Sequence, residues 1–170
     1  MPQRLIGFIC YGNICRSPFA ERYAALRLGA HGLSDRVYVD SAGVGAVSGQ
    51  PSTKPAVQAA KELGVDLAPH RAKRMEDLVL PPDSLLIAMD RMVFGALLTG
   101  QAATLEAARG PGGARLDLMM KSLTGTDEGR QHGLDVPDPM GEGVGSYRRV
   151  YALLQVAVDA LLERMARDLE

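Results

Sequence analysis

The chain has 170 residues, of which 46% are hydrophobic and 23% are charged, and its formal net charge at pH 7 is −1. This length favours one domain spanning residues 1–170, with a core that is stable without disulfides or bound metal. The near-neutral charge excludes a general attraction for nucleic acid or for membrane surfaces, so any preference for anions must be local.

Two further features indicate where the protein works. The only cysteines, Cys10 and Cys15, lie within one turn, which does not resemble a disulfide framework and favours a reducing compartment. The first apolar run is followed at once by polar residues, too soon for a signal peptide or a membrane span. We therefore expect a cytoplasmic protein that is not inserted in a membrane.

The first predicted elements flank a short loop. Residues 5–9 are apolar and partly β-branched, which predicts a buried parallel strand that ends at Cys10. Ser17 as N-cap and Pro18 as first helical residue predict the start of a helix. The apolar residues predicted to share one face of this helix are Phe19, Tyr23, Leu26 and Ala30.

The loop between strand and helix has the chemistry of a phosphate site. No residue from 11 to 16 is proline, so each keeps a backbone N–H that a loop over a helix N-terminus can direct at one anion. Arg16 supplies a planar guanidinium that matches phosphate oxygens, and Gly12 permits close approach of the backbone. The same positive surroundings favour the thiolate form of Cys10, which is a nucleophile.

The other loop residues have supporting roles in this prediction. We expect the Ser17 hydroxyl to donate to the Cys10 thiolate and the Asn13 amide to tie the loop to itself. The residues predicted to bind phosphate or to shape the loop are Tyr11, Gly12, Asn13, Ile14, Cys15 and Ser17.

The next segment predicts one strand, one loop and one helix. Residues 37–39 read as a short strand, residues 40–49 as a glycine-rich loop, and residues 55–63 as a helix that stops at Gly64. A basic cluster follows, formed by His70, Arg71, Lys73 and Arg74. We interpret the cluster as a solvated turn in preference to a patch that steers substrate.

The middle of the chain predicts a second buried strand. Residues 85–89 form an apolar run, and Asp90 then caps a predicted helix over residues 91–98. Residues 101–109 predict one more helical stretch.

The last segment ends in a long helix. Residues 115–119 predict a fourth strand, and residues 121–133 are polar and read as a mobile surface loop. The apolar positions of the final amphipathic helix are Val150, Leu154, Ala157, Leu161 and Met165.

The alternation of strands and helices predicts an α/β fold. We expect a three-layer sandwich in which a central four-stranded parallel sheet has helices on both faces. Ligands bind such sheets at the carboxyl ends of the strands. Cys10, Asp90 and the loop that carries Asp138 are therefore predicted to meet at one edge.

A thiolate that attacks phosphorus needs an acid to protonate the leaving oxygen. Asp138 is the best candidate, because Pro137 and Pro139 restrict the backbone on both sides. Asp135 is the second choice and is better explained as a turn residue. The three histidines show no metal-ligand spacing, so we predict neither a metal nor another cofactor.

Residues 10–18, Cys-Tyr-Gly-Asn-Ile-Cys-Arg-Ser-Pro, resemble the signature loop of the low-molecular-weight protein tyrosine phosphatases. Similar segments at residues 39–43, 68–72, 88–91 and 135–139 follow in the family's order. The resemblance implies metal-independent hydrolysis of phosphotyrosine and aryl phosphates through a phosphocysteine, with Asp138 as general acid. It also implies phosphotyrosine proteins as substrates and a tyrosine kinase as a further partner.

The chain departs from the family pattern around the substrate ring. Met140 replaces an aromatic residue that usually follows the Asp-Pro pair, and residues 44–53 contain no aromatic side chain. Tyr11 is the residue left to line the pocket. Cys15 has two interpretations of equal weight: a thiol that traps oxidised Cys10 as a disulfide, or a small buried apolar residue.

Three other functions fit parts of the pattern. An arsenate reductase on this scaffold would need cysteines after Cys15, and the sequence has none. A protein arginine phosphatase would carry threonine where this chain has Ile14. A non-catalytic module that binds phosphate or phosphopeptides would not need Cys10 and Asp138 together.

Overall fold

The computed structural model describes residues 3–100 and 113–170. Its four strands, all parallel, lie in the order β2-β1-β3-β4: β1 is Arg4–Cys10, β2 Val37–Gly43, β3 Leu85–Ala88 and β4 Arg115–Leu118. The described α-helices are α1 Arg16–Arg27, α2 Lys54–Glu62, α3 Arg91–Gly100, α4 Asp127–His132 and α5 Val144–Asp168. The predicted helix over residues 101–109 lies outside the described residues.

Helices cover both faces of the sheet, as the sequence predicted. Ile6 and Phe8 of β1 point into the larger core beneath α1, α2 and α5, whereas Leu5 and Ile9 point into a smaller core beneath α3. Alternate residues of one strand face opposite sides, so a central strand must be apolar throughout. The expected apolar face of α5 is buried along its whole length.

The structure corrects the predicted start and face of α1. The N-cap is Cys15 and not Ser17. The hydroxyl of Ser17 contacts the Cys10 thiol and does not cap the helix. Leu26 is 65% exposed, and Ala30 lies beyond the helix end. The buried apolar side chains on the inner face of α1, with its C-cap residue, are Phe19, Ala20, Ala24 and Leu28.

Two segments predicted as loops are ordered elements. β2 continues to Gly43, into the region predicted as a loop over residues 40–49, because its parallel pairing with β1 extends to Cys10 and Gly43. Residues 121–133 contain the end of a 3₁₀ helix, Met119–Leu123, and all of α4. Thr126 starts α4 by accepting a hydrogen bond from the Gly129 N–H.

No helix in residues 3–100 or 113–170 combines the length and apolar character that crossing a bilayer requires.

Candidate active site

The loop after β1 is a strand-to-helix turn at the carboxyl edge of the sheet. Cys10 is the last residue of β1 and Arg16 is the first of α1, so the strand and the helix fix both ends of the loop. The Cys10 thiol is buried, and its sulfur accepts a hydrogen bond from the Asn13 N–H at 3.2 Å. The Ser17 oxygen lies 2.9 Å from the same sulfur.

Asn13 connects the loop to its surroundings. Its side-chain NH₂ donates to the hydroxyls of Ser17 and Ser41, at 2.8 and 2.9 Å, and its side-chain oxygen accepts from the Lys73 N–H at 2.8 Å. Its φ of 54° is left-handed, which asparagine tolerates better than most residues. Because the Ser17 oxygen accepts from Asn13, the Ser17 hydrogen is free to point at Cys10, as the sequence led us to expect.

The Arg16 guanidinium is buried and held from two sides. It donates to an Asp90 carboxylate oxygen at 2.7 Å and to the Val136 carbonyl at 2.9 Å. A buried guanidinium requires hydrogen-bond partners, since a buried charge left without its partner costs about 3–5 kcal/mol of stability. Asp90 thus both caps α3, through the Val93 N–H, and fixes the guanidinium.

The two candidate acids have different surroundings. Asp138 is half exposed and lies 3.7 Å from the Arg16 guanidinium, and it accepts a hydrogen bond from the Met140 N–H at 3.1 Å. Asp135 instead pairs with Arg91 at 2.8 Å, and this hydrogen bond lowers the pKa of the Asp135 carboxyl. Asp138 lines the cavity that contains Cys10, whereas Asp135 is not among the residues that line it, so the geometry favours Asp138.

One cavity of about 280 Å³ brings the predicted groups together. Cys10, Arg16 and Asp138 line it, with Tyr11, Ile14 and Met140 as its larger apolar surfaces. The loop after β2 contributes Gly45, Val47 and Gln50, none of which is aromatic. The cavity therefore has a charged end suited to a phosphate and an apolar mouth.

Cys15 has features of both interpretations offered for it. It is buried, and this burial raises the pKa of its thiol. The sulfur lies 3.4 Å from the Tyr147 hydroxyl and 3.9 Å from the Met140 sulfur. It also lines the cavity that contains Cys10, as the trapping hypothesis requires.

The sequence reasoning missed several residues that support the loop. The interpretation of residues 70–74 as a solvated turn is wrong for His70, which is buried and donates from Nε2 to the Asn13 carbonyl at 2.7 Å. Burial lowers the pKa of His70, so the ring stays neutral. Ser41, which accepts from Asn13, donates in turn to the partly buried carboxyl of Glu21.

The missed residues carried a weak signal. His70 and Ser41 both lie in segments that resemble the phosphatase family, but nothing in those segments indicates contact with residues 10–17. Within the described ranges, no cluster of three or more His, Cys, Asp or Glu side chains is arranged to hold a metal ion.

Comparison with known proteins points to one family. A family model described as "Low molecular weight phosphotyrosine protein phosphatase" matches residues 5–170. Low molecular weight protein-tyrosine phosphatase A of Mycobacterium tuberculosis is 35% identical over 168 residues, which cover 96% of this chain and 94% of that protein.

Solved structures share the fold over nearly the whole chain. The low molecular weight protein tyrosine phosphatase from T. tengcongensis has a TM-score of 0.73 and 28% identity, covering 95% of this chain and 99% of that one. The YwlE arginine phosphatase from Geobacillus stearothermophilus has a TM-score of 0.72 and 26% identity, covering 97% and 94%. Because the family model matches residues 5–170 of its 170 residues, the chain belongs to the low molecular weight phosphotyrosine protein phosphatase family.

Proposed function

We propose that this protein hydrolyses phosphotyrosine in proteins, and aryl phosphate monoesters, through a phosphocysteine at Cys10. The observation that carries the proposal is the single cavity lined by the Cys10 thiol, the Arg16 guanidinium and the Asp138 carboxyl. These groups are a nucleophile, a binder of phosphate oxygens and a proton donor, which together make up the chemistry of a phosphate monoesterase.

In the first step the Cys10 thiolate attacks phosphorus in line with the leaving oxygen. Asp138 protonates that oxygen as the P–O bond breaks, and the phenol of tyrosine departs. Arg16 and the loop N–H groups hold the other phosphoryl oxygens, whose charge they stabilise in the transition state. Because Asp90 and Val136 already orient Arg16, little reorganisation is needed when the substrate binds.

In the second step water hydrolyses the phosphocysteine. Asp138, now a carboxylate, takes a proton from the water as it attacks phosphorus. The P–S bond breaks, phosphate is released and Cys10 leaves as a thiolate. The Ser17 hydroxyl, 2.9 Å from the sulfur, stabilises that thiolate by donating a hydrogen bond.

The proposal extends to the setting of the enzyme. Residues 1–170 act as one phosphatase domain on phosphotyrosine proteins, which a tyrosine kinase produces. Both cysteines are free thiols in the structure, and the mechanism needs Cys10 reduced, which favours the cytoplasm.

Hydrolysis of phenyl phosphate and p-nitrophenyl phosphate without added metal tests the function. Cys10→Ser should lower kcat by at least about 10³-fold, because it removes the nucleophile. Asp138→Asn should lower it by roughly 10²–10⁴-fold, and more for phenyl phosphate, whose leaving group needs the proton more.

Asp135→Asn is the matched control, because it changes a neighbouring carboxyl that Arg91 holds. It should leave kcat almost unchanged. A wild-type protein that binds phosphate or vanadate without hydrolysing either ester would contradict the proposal and identify a binding module.

A further inference from the structure

The mouth of the cavity has an unusual aromatic side chain. Among the described residues that line the cavity, Tyr11 alone carries an aromatic ring. Tyr11 directly follows Cys10 and so belongs to the phosphate-binding loop itself. It is 55% exposed, which leaves part of its ring open to a bound molecule.

Gly45 sets the position of this ring. A Cβ atom added at Gly45 would lie 2.5 to 2.9 Å from three atoms of the Tyr11 ring, closer than atoms can pack. The two backbones are also joined, because the Gly45 N–H donates to the Tyr11 carbonyl at 2.9 Å. The ring therefore packs against the Gly45 backbone, where any larger residue would displace it.

The remaining surfaces of the mouth suit an aromatic group. Ile14, Val47 and Met140 contribute apolar surface, and a methionine sulfur makes favourable contacts with rings. In-line attack directs the substituent of the phosphate away from Cys10 and toward the mouth of the cavity, which Tyr11 lines. Contact between two rings strengthens binding roughly two- to tenfold beyond the apolar area that is buried.

We propose that Tyr11, packed on Gly45, is the residue that selects aryl over alkyl phosphates by contacting the ring of the substrate. The inference rests on the proposed function for the identity of the substrate. It adds that the loop that binds the phosphate also recognises the ring, through one side chain and the glycine that supports it.

Binding of phenylphosphonate and methylphosphonate, measured by calorimetry, tests this role. Both carry the same charged head, so the ratio of their dissociation constants isolates the contribution of the ring. Tyr11→Leu should reduce the preference for phenylphosphonate by roughly two- to tenfold. It should leave the affinity for methylphosphonate unchanged, which reports that the loop is intact.

Two further variants distinguish the ring from other properties of Tyr11. Tyr11→Phe keeps the ring and should preserve the ratio. Gly45→Ala should lower the ratio in the wild-type background, because it displaces the ring, but not in the Tyr11→Leu background. Any of three results would overturn the inference. The ratio could be unchanged in Tyr11→Leu, it could fall as far in Tyr11→Phe as in Tyr11→Leu, or the decreases caused by changes at positions 11 and 45 could be additive.

The result is separable from the proposed function. The ratio is a binding measurement and does not require turnover, whereas the proposed function is tested by whether wild type hydrolyses aryl phosphates. A protein that hydrolyses them while Tyr11→Leu keeps its ratio would refute the role of Tyr11 alone.

Discussion

At the scale of single residues, the site is organised before substrate binds. Cys10 receives hydrogen bonds from the Asn13 N–H and from Ser17, and Arg16 is fixed by Asp90 and a backbone carbonyl. Donors that are already in place stabilise a transition state without reorganising, and this is usually the largest single contribution to catalysis.

Cys15 belongs to this scale, and its thiol gives a prediction about oxidation. We expect peroxide to convert the Cys10 thiolate to a sulfenic acid, which the Cys15 thiolate then attacks to form a disulfide and release hydroxide. We expect wild type to regain activity with dithiothreitol, and Cys15→Ala to regain less. Activity after peroxide and thiol treatment measures this.

The pH dependence follows from the raised pKa of Cys15. The Cys15 thiolate is scarce at neutral pH, and its population grows as pH rises. The fraction of activity that dithiothreitol restores should therefore increase with pH in wild type but not in Cys15→Ala. Equal recovery of both proteins at every pH would show that Cys15 is only a packing residue.

At the scale of elements, the phosphate-binding loop is held between β2 and the segment around His70. Gly43, the last residue of β2, lies against the loop backbone, and Val44 donates to the Cys10 carbonyl at 3.1 Å. His70 and the Lys73 N–H hold Asn13 from the other side. The loop geometry therefore depends on residues far from it in sequence.

Gly43→Ala tests this support. A Cβ atom there would lie 2.5 Å from the Tyr11 carbonyl oxygen and 2.9 Å from the Asn13 nitrogen, and backbone atoms cannot rotate away. We expect a loss of about 1–3 kcal/mol in the free energy of unfolding and a marked fall in kcat/KM. Denaturant unfolding and steady-state kinetics measure the two effects.

Gly95→Ala, in α3, is the matched control. Nothing lies within 4 Å of its added Cβ, and alanine favours the helix by up to about 1 kcal/mol. Equal behaviour of the two alanine variants would show that the close approach at Gly43 does not matter.

The strands and helices also show which parts of the fold can be predicted from the sequence. Long or strongly patterned segments such as β1, β3 and α5 were predictable, because one apolar face or one apolar run defines each. The extension of β2 to Gly43 was not, since it depends on pairing with β1. Contacts such as His70 to Asn13 join residues that are 57 positions apart, and no local pattern reveals them.

At the scale of the whole molecule, the sheet topology brings the site residues together, and a buried polar residue near the site contributes to folding stability. The parallel strands β1 and β3 bring Cys10 and Asp90 to one edge, although the two residues are far apart in sequence. The same edge buries His70, which is neutral in the folded protein. Folding stability should therefore depend on pH through this residue.

The prediction for His70 concerns acid pH. Burial lowers its pKa in the folded protein below the unfolded value near 6.5, so below pH 6.5 the unfolded chain binds a proton that the folded protein does not. The stability that the folded protein has with His70 neutral is complete above pH 6.5 and is lost as pH falls toward the folded pKa of His70. Urea unfolding of wild type and His70→Gln from pH 7.5 to 5 measures it.

The unfolding free energy of wild type should fall more steeply with acid than that of His70→Gln, in which glutamine still donates to Asn13 without titrating. The raised pKa of the partly buried Glu21 acts in the opposite direction but is common to both proteins. Parallel pH profiles for the two proteins would contradict the assignment to His70.

The most direct test of the mechanism is to trap the phosphorylated enzyme. Wild type is mixed with phenyl phosphate, quenched in acid within the first turnovers, digested and analysed by mass spectrometry. The mechanism predicts one phosphoryl group on the peptide that contains Cys10, and neither turnover nor phosphorylation in Cys10→Ala. Hydrolysis without a phosphorylated Cys10, or with the phosphoryl group on another residue, would contradict it.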